Sequence, residues 1–84
     1  MSKEPEVGDV WSTGNIDLGN YTYTQRYFIV DKFFNGAFYV MSEKNERCPV
    51  NSCFILEDNE FKHLFYLGKS KANIDDLFKT ENEE

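Results

Sequence analysis

The chain has 84 residues, with 15 acids against 9 lysines and arginines, for a formal net charge of −6. That length makes one domain, whose fold buries only about 60–65% of the surface the unfolded chain exposes. Two cysteines, Cys48 and Cys53, are too few for the disulfide framework of a secreted mini-domain. No charged-then-apolar leader opens the chain and no apolar run reaches a membrane-spanning length, so a cytoplasmic location is expected.

The acidity is uneven. Residues 73–84 hold Asp75, Asp76, Glu81, Glu83 and Glu84 against Lys79, whereas acids and bases nearly balance over residues 1–72. A nearly neutral body lacks the counterion release that drives non-specific nucleic-acid binding, so direct contact with nucleic acid is disfavoured.

In chain order, residues 1–6 are polar and without periodicity, and are expected to form a flexible N-terminus. Val7 to Trp11 suits a short strand. Turn formers dominate Asn15 to Asn20, where Ile16 and Leu18 are expected as apolar anchors of a loop. The strongest signal follows. Tyr27-Phe28-Ile29-Val30 and Phe38-Tyr39-Val40-Met41 are aromatic and β-branched, and Asn35-Gly36 lies between them. That dipeptide suits a two-residue type I′ turn, which would pair Phe34 with Ala37, Phe33 with Phe38 and Val30 with Met41. Alternation then gives one face with Tyr27, Ile29, Phe33, Phe38 and Val40, and another with Phe28, Val30, Phe34, Tyr39 and Met41. Both are apolar, so both sides of the hairpin should be covered, in a barrel, by a helix or by another chain.

Downstream, Val50 to Leu56, the polar turn Glu57 to Glu60 and the alternating Phe61 to Leu67 spell a second hairpin, with a helix over residues 52–62 as the competing reading. Asn73 can cap a short C-terminal helix that places Ile74, Leu77 and Phe78 on one face, with Asp75 and Asp76 favoured in its first turn. Residues 80–84 are expected as an acidic disordered tail, which leaves 7–79 as a single β-rich domain. The fold class is mostly β: a small SH3-like or OB-like open barrel of about five short antiparallel strands with a short C-terminal helix. A three- or four-stranded sheet with that helix on one face is the alternative.

Candidate chemistry is sparse. Gly68-Lys69-Ser70 ends like a phosphate-binding loop, but His63 stands where the motif needs its first glycine. Cys48, Cys53 and His63 lack a good fourth zinc ligand. A lone histidine and scattered carboxylates assemble no catalytic set, so neither an enzyme nor a cofactor is expected. The aromatics say more. Trp11, Phe28, Phe38, Phe54 and Phe65 are accounted for as core. Tyr21, Tyr23, Phe33, Phe34 and Tyr39 crowd one stretch and its hairpin, and such residues are enriched at interface hot spots, so they are the candidate partner-binding set. A separate cluster of Lys62, Lys69 and Lys71 with Tyr66 suits a phosphate-bearing small molecule, with the ring as a stacking surface.

Gly8-Asp9-Val10-Trp11 near the start and Tyr66-Leu67-Gly68-Lys69-Ser70-Lys71-Ala72-Asn73-Ile74-Asp75-Asp76-Leu77-Phe78 near the end resemble small accessory proteins of phages that infect Gram-positive bacteria. The resemblance lies in style at both ends of the domain and carries over no catalytic residue. It implies a module in the host cytoplasm that binds and inhibits or modulates a host protein, or sequesters a signal. The expected partner is therefore a host or phage protein. An oligomeric sponge for a phosphorylated small molecule or nucleotide signal, and a structural subunit of a virion or assembly, are the alternatives.

Overall fold

A computed structural model describes residues 3–44, 49–71 and 76–81. In chain order it contains β1 (Asp9–Ser12), β2 (Ile16–Asp17), β3 (Thr22–Tyr23), β4 (Arg26–Lys32), β5 (Phe38–Ser42), β6 (Ser52–Leu56), a 3-10 turn (Asp58–His63) and β7 (Phe65–Lys69). The long strands form one antiparallel sheet ordered β6-β5-β4-β1-β7, and β2 and β3 form a small hairpin of their own. The protein is mostly β, as its composition implies. The sheet is open, with β6 and β7 at its two edges. No helix among the described residues is long and apolar enough to cross a membrane.

β1 is buried along its whole length because it takes β4 and β7 as neighbours on its two sides. Trp11, Ile29, Phe38 and Val40 gather into the core, and Phe61 of the 3-10 turn joins them. Phe61 meets Trp11 and Phe38 edge-on, at ring distances of 5.3 and 5.1 Å. Such pairs add roughly 0.5–1.5 kcal/mol each beyond their burial.

The hairpin of β4 and β5 exists, but its register differs from expectation. Phe33 N–H donates to Ala37 O and Gly36 N–H to Phe33 O, so Phe34-Asn35-Gly36 is a three-residue loop. Gly36 has φ of +93° and Asn35 does not have positive φ, which rules out type I′ and fits a type I turn closed by a glycine bulge. Lys32 therefore pairs with Phe38 and Asp31 with Tyr39. Val30 is then skipped by a second bulge, after which Ile29 pairs with Val40 and Phe28 with Met41. The two one-residue offsets have the same sense, so the first inverts side-chain parity and the second restores it. Tyr27, Ile29, Phe38 and Val40 still share the inner face, whereas Phe33 leaves it for solvent.

The expected second hairpin does not form. β6 pairs with β5 and β7 with β1, at opposite edges of the sheet. The segment between them must cross the open end of the sheet, and it does so as the 3-10 turn, delivering Phe61 to the core. Acids at its start and Lys62 and His63 at its end suit the helix dipole. The helical alternative at 52–62 is also overturned for its first half, since Ser52–Leu56 is a strand. The loop expected at Asn15–Asn20 contains β2, and Leu18 is exposed at the hairpin tip, not an anchor.

The described residues nearest each end are packed further than expected. Pro5 is buried, and Lys3 and Glu6 engage β1 and β7 through charge pairs. Thr80 is buried and bridges Ser70, and Glu81 N–H donates to Lys69 O. Of the expected C-terminal helix, Asn73, Ile74 and Asp75 lie outside the described residues, and the part from Asp76 to Phe78 is not an α-helix. From Asp76 the chain makes a turn, with Lys79 N–H on Asp76 O, and then runs extended beside Lys69–Lys71.

Candidate functional site

Phe33 and Phe34 are carried at the tip of the β4–β5 hairpin by the bulged turn. Asn35 Oδ1 accepts from Ala37 N–H, and Gly36 supplies the left-handed corner, so the turn holds its shape without help from Phe34. Phe34 is 106% exposed relative to a free residue. A hollow of about 290 Å³ separates the tip from the start of the 3-10 turn, lined by Asn35, Gly36, Ala37, Glu57, Asp58 and Asn59. Glu57 N–H donates to the Glu60 carboxylate at 2.7 Å, which fixes this acidic turn beside the aromatic tip. The result is an exposed aromatic projection next to carboxylates.

The remaining candidate partner residues lie elsewhere. Tyr21 and Tyr23 pack at a ring distance of 6.4 Å on the β2–β3 hairpin, toward the beginning of β4. Tyr23 is near enough to Tyr27 to add to the upward shift of its phenol, whose main cause is burial. From Tyr27 to Phe33 the strand runs roughly 20 Å. Tyr39 is half-buried, and a hydrogen bond with the Cys53 thiol raises its phenol above the usual range. The five residues thus fall into a tip, a lateral tyrosine pair and a half-buried ring on the sheet.

The lysine cluster is differently organised from the one expected. Lys69 Nζ lies 2.9 Å from Asp9 Oδ1 and 3.0 Å from Glu6 Oε1. The hydrogen bond to Asp9 is the largest cause of its raised pKa, and the pairing lowers that of Glu6. The cation over the Tyr66 ring, at 4.8 Å, is Lys3, which lay outside the expected set. Lys62 is exposed on the 3-10 turn and Lys71 is exposed after β7. Asp9 is completely buried, and its Oδ2 accepts from Glu6 N–H and Trp11 Nε1. It ties the N-terminal lead-in to the core.

A larger cleft of about 530 Å³ lies at the other end of β5, between its outer side and the C-terminal segment. Arg26 forks onto Glu43 and donates to Phe78 O, and Lys44, Asn51 and Lys79 complete the rim. Sequence reasoning had no signal for this cleft, because it joins residues distant in the chain. Cys53 is exposed on β6 and His63 at the end of the 3-10 turn, whereas Cys48 lies outside the described residues.

Phe65, expected in the core, is exposed, and Phe54 is partly so. Both sit on edge strands, where only one flank is covered. Val50 and Ile55 add to the exposed apolar surface around β6. Comparison with protein-family models, curated proteins and solved structures finds no match to this chain.

Proposed function

We propose that this protein is a non-enzymatic binding module, of phage or mobile-element origin, that seats Phe34 in an apolar pocket of a host protein and modulates it. The observation that carries the reading is the full exposure of Phe34 at the tip of a turn that does not need it. The position after the first residue of a type I turn accepts nearly any side chain. Leaving phenylalanine there forgoes about 1.5–3 kcal/mol of burial, which a partner pocket recovers. Glu57 and Asp58 beside the tip select a pocket rimmed by lysine or arginine.

The fold reading that accompanies this is the SH3-like form of open barrel. It is supported by a β4-β5-β6 meander, an N-terminal strand inserted between β4 and the C-terminal strand, and a bulged β4 that bends between the two halves. Use of the Lys62, Tyr66, Lys69 and Lys71 surface for a phosphorylated ligand would first have to displace Asp9 and Glu6 from Lys69.

The test immobilises the wild-type chain and the Phe34→Ser variant and passes a Gram-positive host lysate over both. The expected result is a protein retained by the wild type, lost with Phe34→Ser and weakened by salt, while the variant's circular dichroism and melting are unchanged. Identical retention by both chains would overturn the assignment of Phe34.

A further inference from the structure

We infer that β6 is the interface between two copies of this chain, paired edge to edge and antiparallel about a two-fold axis at Phe54. The hydrogen-bond phase of the sheet is the first support. Glu43 N–H donates to Arg26 O, and Phe33 N–H to Ala37 O, so the odd-numbered residues at this stretch of β5 bond to β4. The alternation of an antiparallel ladder then turns Phe38, Val40 and Ser42 toward β6, opposite Leu56, Phe54 and Ser52. The Asn51 side chain donates to Ser42 O from that side, in keeping with this phase. Cys53 and Ile55 therefore present their N–H and C=O groups to the open side of the sheet.

Those groups ask for an extended chain, and among the described residues no strand pairs with the outer side of β6. Ser52-Cys53-Phe54-Ile55-Leu56 has no charge and no proline, and its first four residues are exposed. The opposite edge is treated differently: the segment around Thr80 lies alongside Lys69–Lys71. Natural sheets rarely leave a neutral edge uncovered.

A second copy fits by both register and charge. When β6 pairs in full with its symmetry mate, Cys53 stands opposite Ile55, and each exchanges the bonds it presents outward. Phe54 meets its own mate on the inner face, and Cys53 and Ile55 meet on the outer face. β6 ends at Glu57 and Asp58, and begins beside Asn51 and the exposed Lys44. Antiparallel pairing sets each acidic end against the partner's lysine end, whereas parallel pairing would set acid against acid.

The test is sedimentation equilibrium of the full chain to about 1 mM, the range of weak self-association. The expected mass rises from 9.9 kDa to twice that value. Exchange of the Cys53 and Ile55 amides should slow with concentration, while that of Phe54 is slow throughout. Ile55→Lys should hold the chain at the monomer mass. Cys53→Pro should do the same, and it removes an outward N–H on which no internal bond depends. A wild-type mass of 9.9 kDa at every concentration would overturn the proposal and leave the edge to a foreign strand. A dimer that survives both substitutions would overturn it equally, by placing the joint elsewhere.

Discussion

Replacing Asp9 by alanine removes the acceptor that holds Glu6 N–H at 2.9 Å and Trp11 Nε1 at 3.4 Å and that faces Lys69 Nζ at 2.9 Å. Breaking a fully buried ion pair costs about 3–5 kcal/mol. Here the Lys69 and Lys3 side chains are 36% and 29% exposed, so their ammonium groups can turn to water and the upper part of that range does not apply. What cannot be rehydrated cheaply is the buried indole N–H and the partly buried Glu6 N–H, at roughly 1–3 kcal/mol for each unsatisfied donor. The expected loss is therefore about 3 kcal/mol. A domain of this length has only about 4–13 kcal/mol of total stability, so the melting temperature should fall by roughly 12–24 °C. Asp9→Asn keeps an oxygen for those donors and gives up the charge, and should lose about 1 kcal/mol. Urea denaturation of the three proteins, with the slope checked for constancy, measures both differences. If Asp9→Ala and Asp9→Asn are equally destabilised, charge pairing and not donor satisfaction carries the site. A loss below about 1 kcal/mol for alanine would refute the reasoning altogether.

Gly14 has φ of +71°, and a Cβ there would stand 2.8 Å from the Phe65 ring. Gly14→Ala should cost about 1–2 kcal/mol through backbone strain, plus a steric part that Phe65→Ala relieves in the double variant. Tyr27 and Lys69 both have folded pKa values raised above their unfolded ones, so their contributions are complete below about pH 10 and are lost as pH rises through the folded values. Melting temperature should thus decline on the alkaline side, less steeply in Tyr27→Phe. Glu6, with its pKa lowered, has the opposite sign: its contribution is present above about pH 4.5 and disappears as pH falls through the folded value, a decline that Glu6→Gln should blunt. Phe34→Ser should change stability by less than about 0.5 kcal/mol, measured in the same urea series, because no packing is lost at a fully exposed tip.

Much of the hairpin was legible from residues 27–41. Its inner face of Tyr27, Ile29, Phe38 and Val40 follows from period-two alternation, which survives any even offset in register. The turn was misread because Asn-Gly serves two loop lengths, and only the φ of Asn35 separates them. The candidate tip residues Phe33 and Phe34 are exposed, but the same alternation had placed Phe33 on the inner face, since the glycine bulge has no composition of its own. The lysine cluster rests on nearness in the chain, which cannot reveal that Asp9 and Glu6 arrive at Lys69 from the far end of the chain.

By itself the sequence determined the mostly β class, the place of the central hairpin and the uneven charge, since these depend on local periodicity and composition. Tertiary structure alone decided that β6 and β7 part to opposite edges, that Phe61 crosses to plug the core, and which aromatics face water. Those outcomes depend on which strand edges remain open after the central hairpin forms. Strand pairing between distant segments carries no short-range signature, because every backbone offers the same donors and acceptors.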